Sequence, residues 1–486
     1  MQIFKILIAL TSLAVAAGCS SVHEHLTNKP IAWPTVAATL DGARRETTPI
    51  SSIQKTSFAA PNELDGPEVL ADSSDVVASY TSTSLTLAEV EAIAMANNPA
   101  IQAAIANTDK AAGIRDQVGT RPNPTIGFTG QQLADRNTDQ YGLFVEQEFV
   151  RGNKLTLNRE VLGHTQQAQV AEGESQRLRV LTDVRVRFYE AAATQQQLAA
   201  ILSFLEVAKQ GVQVAEARQR AAEGSLIETL QARTLVSEVT LAAEQAEITY
   251  RGAWQDLAAI AGLTMAMPSS LQADLTGAVR TIDWENALND TLVQSPELLA
   301  AEAIVCEKRA MLQRERVQMT PNVTAQIGAG YDRSTDHGMV NVQLSAPLPV
   351  ANRNAGNISA AHSDVVRATR EVERLRQSIR SRLARVRQEY ELALTSVRKY
   401  ENEIIPQAKE SLELSELAYR SGELDFLQVL IVRRSYYEAA VRLINAQGQL
   451  AQAASKVDGL LLTGGLDSPT DYTSGDRLRG ASFGGQ

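Results

Sequence analysis

A chain of 486 residues with 46 Lys and Arg against 56 Asp and Glu carries a formal charge of −10, and that acidic balance argues against a nucleic-acid partner, which needs a basic face. Two cysteines, Cys19 and Cys306, are too few for a disulfide framework. No nucleophile and base constellation, phosphate-cradling glycine loop or paired metal-ligand motif stands out, so neither an enzyme nor a cofactor is expected.

Residues 1–18 read as an export signal, with Lys5 as positive charge, an apolar run from Ile6 to Ala17 and small residues before Cys19. The pattern resembles a bacterial lipoprotein signal, in which Cys19 becomes the lipidated first residue of the mature chain; a plain signal peptide with an incidental cysteine is the alternative. Ser20 stands where an Asp would favour retention at an inner membrane. Residues 19–84 are rich in Ser, Thr, Pro and Ala without clear periodicity and read as an extended leader. His23-Glu24-His25 lies there and is better taken as a solvated polar run than as a metal site.

The body of the chain repeats itself. Asn98-Pro99 returns as Ser295-Pro296, Pro124 as Pro321, Asp135-Arg136-Asn137-Thr138-Asp139 as Asp332-Arg333-Ser334-Thr335-Asp336, and Gly262 as Gly459, each 197 positions on. One structural unit is therefore expected twice, at 85–263 and 284–462, joined by a connector at 264–283 and followed by a disordered tail at 463–486. The spacing implies a register that holds through the whole unit.

Each unit opens with helix-forming sequence, Leu87 to Asn97 and Ala100 to Val118 in the first copy, with Pro99 at a boundary that tolerates it. Two strands follow. Val323, Ala325, Ile327, Ala329 and Tyr331 alternate with polar or small residues, as do Val340, Val342 and Leu344; the first copy repeats this with Leu143, Val145 and Phe149. A soluble sheet shows the same alternation, and strands of about ten residues are also what a tilted membrane barrel needs. No segment after the signal reads as a transmembrane helix, so strands must make any crossing.

After each hairpin comes a coiled-coil pattern. Leu181, Val184, Phe188, Ala191, Leu198, Ile201, Leu205, Ala208, Val212 and Ala215 step by three and four, interrupted by polar Gln195. Ile379, Leu383, Val386, Tyr390, Ala393, Val397, Tyr400 and Ile404 do the same. A helix from Lys154 to Ala222 would run about 100 Å at 1.5 Å per residue, so glycine turns at Gly224 and Gly422 are expected to send a second helix back antiparallel. Ser225 and Glu228 form a capping-box pattern for the first return helix, and Asp425 stands at the second without one.

Four strands cannot close a barrel, and an open sheet edge is not tolerated in lipid. Closure must come from other copies: two would supply about eight strands, which side chains fill, and three about twelve, which leave a passage. The expected fold is mainly α with membrane β, a duplicated unit of long coiled-coil helices plus β-hairpins. Three chains would form a trimeric 12-stranded β-barrel continuous with an α-helical barrel beneath it.

From Leu85 to Leu462 the chain resembles the TolC-like outer membrane efflux proteins of the lipoprotein branch. The residues that carry the likeness are Leu87 to Pro99, Pro122 to Pro124, and Ile405-Pro406-Gln407-Ala408 leading to Tyr419-Arg420-Ser421-Gly422. Val145-Glu146-Gln147-Glu148-Phe149 followed by Arg151-Gly152-Asn153-Lys154 is similar to the cobalt-zinc-cadmium resistance subgroup, with Asn153 in place of a second glycine. The resemblance implies a passive homotrimeric duct in outer membrane lipids, extending into the periplasm. It further implies coupling through a periplasmic adaptor (membrane fusion) protein to an inner membrane pump of RND type, with heavy-metal cations or small toxic molecules as cargo. A protein-secretion duct and a structural envelope lipoprotein are the alternatives. By the same resemblance the tips, with Gly224, Ser225, Glu228, Thr229, Tyr419, Gly422, Asp425 and Gln428, would be the periplasmic gate and docking surface. Gln428 and Ile431 stand where archetypal relatives carry aspartates.

His164 and His362 occupy comparable places early in the two long helices and are the weak metal candidates; no metal site is otherwise expected. Arg177, Arg179 and Arg185 recur as Arg374, Arg376 and Arg382, most simply as salt-bridge partners. Met265 and Met267 read as loop filler.

Overall fold

The computed structural model describes residues 84–133, 138–263 and 270–473. The signal, Cys19, His23, His25, Met265 and Met267 lie outside these residues. In chain order the elements are β1 (Leu85–Thr86), α1 (Leu87–Asn97), α2 (Pro99–Val118), β2 (Thr125–Gln131), β3 (Gln140–Phe149), α3 (Lys154–Arg220) and α4 (Leu226–Ala261). The second unit follows as β4 (Leu271–Gln272), α5 (Trp284–Gln294), α6 (Pro296–Val317), β5 (Val323–Asp332), β6 (His337–Ser345), α7 (Ala355–Lys399), a π-helical turn at Tyr400–Ile404, α8 (Ile405–Arg420) and α9 (Phe426–Asp458).

Local chemistry sets the boundaries. Thr86 and Glu89 close a reciprocal capping box at the start of α1, with the Glu89 carboxylate 2.8 Å from the Thr86 N–H. Asn98 ends α1 and caps α2, its Oδ1 taking the Ala100 N–H at 2.9 Å ahead of Pro99 at the first helical position. The long helices are amphipathic along the expected seam, with Val184, Phe188, Ala191, Leu205, Ala208 and Ala215 buried in α3 and Ile379, Leu383, Val386, Tyr390, Ala393 and Val397 buried in α7. Gln195, the polar interruption of that seam, accepts hydrogen bonds from the Leu271 N–H at 2.9 Å and from the Tyr250 hydroxyl at 3.2 Å. It therefore fastens the connector to the helices, an arrangement a local pattern cannot show.

Packing is pairwise and follows the duplication. Helix α3 lies against α2, α4, α6 and α9, and α7 lies against α6 and α9. The largest buried cluster surrounds Phe188, Trp254 and Leu257, and reaches Leu85 and Leu271 of the short parallel β1–β4 pair. Gly448 lets α9 approach α3 closely, since a Cβ there would stand 2.6 Å from that of Ala193.

Three expectations need correction. First, the spacing of 197 does not persist through the long helices. The N-cap residues Asn153 and Asn354 are 201 apart and Ser225 and Asp425 are 200 apart, because the linker before α7 is longer than that before α3; α9, with 33 residues against 36 in α4, restores 197 at Gly262 and Gly459. Second, α3 contains a stretch long and apolar enough to cross a membrane by length and composition, the only such helix among the described residues. Its Ala- and Leu-rich middle is the coiled-coil seam, which packs on α4 and α9.

Third, the tail is ordered as far as Thr473. Asp183 accepts from the Gly464 and Gly465 N–H groups at 2.9 and 2.8 Å, Gln176 donates to the Gly465 carbonyl at 2.9 Å, and Gln169 donates to the Thr470 carbonyl at 2.9 Å. Lys110 pairs with Asp471 at 2.5 Å. Gln169, Gln176 and Asp183 share one face of α3 and Lys110 stands on the neighbouring α2, so the tail lies along α3 as an extended strap, and burial pushes the Tyr472 phenol well up.

Candidate functional site

Two regions are candidates for function: the four-stranded sheet at one end of the long helices and the helix-turn tips at the other. The sheet has strand order β2-β3-β5-β6, all antiparallel. Register places Ile126, Val145, Ile327 and Val342 in one row and Phe128, Leu143, Ala329 and Val340 in the next, on the same face. This face is exposed, with Ile126 75%, Val342 70% and Leu344 72% accessible. The opposite face carries Thr125, Glu146, Gln326 and Gln343 in one row. Apolar side chains thus point outward and polar ones to the other side, the reverse of a sheet that covers a soluble core. Both outer strands, β2 and β6, have an unpaired edge.

The join between sheet and helices is polar and tight. Asn322, ahead of β5, donates to Glu148 Oε1 at 2.6 Å and accepts from Lys154 Nζ at 2.9 Å and the Arg151 N–H at 3.3 Å. Burial, with Arg314 nearby, lowers the Lys154 pKa. Gly152 and Asn153 both adopt left-handed conformations, with φ of 71° and 59°, which turn the chain from β3 into α3. The segment from Arg151 to Lys154 is thus the corner between strand and helix.

At the first tip, α3 ends in a turn whose left-handed residue is Ala222 (φ 59°), not the expected Gly224; the Glu223 and Gly224 N–H groups return to the Arg218 carbonyl at 3.0 and 3.2 Å. Gly224 keeps a small-residue role, because a Cβ there would lie 3.1 Å from that of Arg218. Ser225 Oγ accepts the Glu228 N–H at 3.2 Å and starts α4. Thr229, 2% exposed, ties back to Gln219 at 2.9 Å. At the second tip, Gly422 supplies the left-handed residue at φ 80°, and the Glu423 N–H bonds the Ala418 carbonyl at 2.8 Å. Asp425 starts α9 with no side-chain cap bond, and the Gln428 N–H reaches the Asp425 carbonyl at 3.1 Å.

The two tips are packed together. Phe426 and Leu430 of α9 bury against Ala215 of α3 and Ala232 of α4, with Tyr419 at the edge, its ring 5.7 Å from that of Phe426. The Arg218 guanidinium sits 5.8 Å from the Tyr419 ring centroid, and Arg434 of the second tip pairs with Glu238 of the first at 2.8 Å. Each tip has its own cross-hairpin pair, Glu216–Arg233 at 2.7 Å and Glu416–Arg433 at 2.6 Å. The sequence holds a signal for these pairs, a Glu and an Arg 17 apart recurring 200 positions on. Gly224, Ser225, Glu228 and Thr229 lie at the first tip and Tyr419, Gly422, Asp425 and Gln428 at the second, with Ser225 and Asp425 at the helix starts. The π turn before α8 precedes Pro406, whose ring would clash with the Asn402 carbonyl in an unbroken helix.

The arginines singled out in the sequence are all in ion pairs. Arg179 bridges Glu172 at 2.8 Å and Glu297 at 3.4 Å, and Arg382 also reaches Glu297, at 2.6 Å. Arg177, Arg185, Arg374 and Arg376 pair with Glu174, Glu91, Glu371 and Glu302. His164 contacts Gln167 at 3.0 Å and His362 is exposed; among the described residues no group of three or more His, Cys, Asp or Glu is placed to hold a metal ion.

A family model described as outer membrane efflux protein matches residues 92–263 and 287–461, one match for each unit. The chain is 23% identical over 380 residues to the cobalt-zinc-cadmium resistance protein CzcC of Cupriavidus metallidurans, covering 78% of this chain and 90% of that one. It is 26% identical over 313 residues to the pyoverdine export outer membrane protein OpmQ of Pseudomonas putida, covering 60% of this chain and 64% of the relative. The crystal structure of a membrane protein from Pseudomonas aeruginosa superposes with a TM-score of 0.67 at 16% identity, over 77% of this chain and 92% of that one, a likeness of fold.

Proposed function

Because this chain belongs to the outer membrane efflux protein family, we propose that it works as the exit duct of a tripartite efflux system, three copies closing one passage across the outer membrane. The family and fold are those of channel proteins rather than enzymes. The observation that carries the reading is the sheet, with an apolar face open to the outside, a polar face behind it and two unpaired edges. Lipid satisfies the apolar face but not the edges, so β6 of one copy must pair with β2 of the next. Three copies of this four-stranded sheet give about twelve strands, enough to leave a passage, whereas two give a filled barrel.

The helical hairpins then line up beneath the barrel as the periplasmic part of the tube, and Cys19 supplies a lipid anchor. At the far end the tips with Gly224, Ser225, Glu228, Thr229, Tyr419, Gly422, Asp425 and Gln428 form the gate and the surface that meets a periplasmic adaptor, itself coupled to an inner membrane pump of RND type. Likeness to CzcC along nearly all of that protein favours heavy-metal cations as cargo; the shorter match to OpmQ keeps small organic molecules as the second reading. Mild extraction of outer membranes followed by electrophoresis with and without heating tests the assembly. A heat-sensitive trimer is expected, and monomer alone in every mild detergent overturns it. For cargo, deletion should lower tolerance to cobalt, zinc or cadmium; unchanged tolerance to all three removes the metal reading.

A further inference from the structure

On the duct reading, on which this step rests, we infer that Glu146 is the residue that makes the exit selective for cations. The apolar rows of the sheet turn to lipid, so the row Thr125–Glu146–Gln326–Gln343 turns to the passage. The acidic side chains on that polar face of the four strands are Glu146, Glu148 and Asp332, and the face carries no Lys or Arg. Two of the three are committed. Glu148 is held by Asn322 at 2.6 Å beside Lys154, and Asp332 accepts from the Ser334 N–H and hydroxyl at 2.9 and 2.7 Å in the β5–β6 turn.

Glu146 makes no side-chain hydrogen bond or ion pair among the described residues, and its neighbours across the ladder, Thr125 and Gln326, are neutral. In the next row the Phe144 ring lies over Gly127, where a Cβ would collide with it, so the wall on that side of Glu146 carries no charge. A carboxylate in such a wall focuses its field into the passage instead of losing it to a counter-charge. Threefold assembly sets one Glu146 from each copy at one level. Since the field decays over roughly 8 Å at physiological salt, anions are repelled and hydrated mono- and divalent cations are concentrated near the wall at that level. With no second uncommitted carboxylate on that face of the four strands, the level attracts cations in transit without retaining them, as conduction requires.

The test is reversal potential of the purified assembly in planar bilayers under a tenfold KCl gradient. Wild-type channels should prefer K⁺ over Cl⁻, and Glu146→Gln should lower that permeability ratio at least about threefold with single-channel events retained. Gln326→Lys, which keeps the carboxylate but places a cation opposite it, should lower the ratio as well and answers the question if Glu146→Gln does not assemble. Conducting variants with wild-type selectivity overturn the inference while leaving the duct reading intact. A wild-type protein that inserts no pore overturns the duct reading, and the inference with it.

Discussion

Truncating Phe426 to Ala should loosen the tips without unfolding the rest of the protein. Phe426 is 7% exposed and packs with Leu430 on Ala215 and Ala232, with the Tyr419 ring against it. A phenylalanine side chain buries on the order of 150 Å², which at about 25 cal/mol per Å² is about 4 kcal/mol. Partial collapse of small neighbours at the end of the hairpins brings the expected local cost to about 3 kcal/mol. Since 1.4 kcal/mol is about tenfold in an equilibrium constant, amide exchange governed by tip opening should rise roughly a hundredfold. Hydrogen exchange with mass spectrometry on the full chain reads this out in peptides spanning 211–235 and 415–434. Peptides around Phe188 and Trp254 should keep their protection, because that cluster shares no buried residue with the tips. A rise below about fivefold at the tips, or an equal rise in both regions, would refute the view that Phe426 couples the hairpins locally.

Ala222→Gly should stabilise the first tip by about 1 kcal/mol, because Ala222 holds a left-handed conformation that glycine adopts freely; Gly422→Ala should cost a similar amount at the second, both read by exchange in the turn. Ser225→Ala should fray the start of α4 at a cost of about 1 kcal/mol, whereas Asp425→Ala, which removes no cap bond, should be close to neutral in the same measurement. Gly448→Val should lower the unfolding temperature, at a cost of about 2 kcal/mol, because its side chain meets Ala193 where α3 and α9 touch. The Asp471 carboxyl, though burial opposes its charge, is held below its ordinary 3.8 by Lys110 and Thr473. A depressed acid stabilises above its unfolded value and loses that contribution as pH falls through the folded one, so the strap should resist protease near neutrality and become susceptible under strong acid; Asp471→Asn should be susceptible at neutral pH.

The chain itself determined the duplication, the two hairpins, the long seams and the caps, because each is written locally. Period two in β5 and β6, steps of three and four in α3 and α7, Asn98 before Pro99, and Ser225 before α4 need no distant residue to be read. Tertiary structure decided what local patterns leave open. Gln195 is a polar break in the coiled-coil pattern by sequence, and in the fold it accepts from the Leu271 N–H and the Tyr250 hydroxyl. A Gly- and Asp-rich tail has the composition of a disordered segment, yet Asp183, Gln176 and Gln169 on α3 bond its backbone at points as far as Tyr472. Register slips between the copies are invisible where matched motifs flank them, since 201 at the N-caps and 200 at the tips differ from 197 by about one helical turn. The packing of Phe426 and Leu430 on Ala215 and Ala232 joins residues some 200 positions apart, and only the paired hairpins bring them together. Hydrogen bonds to near neighbours and side-chain period act over a few residues, so sequence reports them directly; burial and long-range polar pairing depend on which surfaces meet, and folding alone sets that.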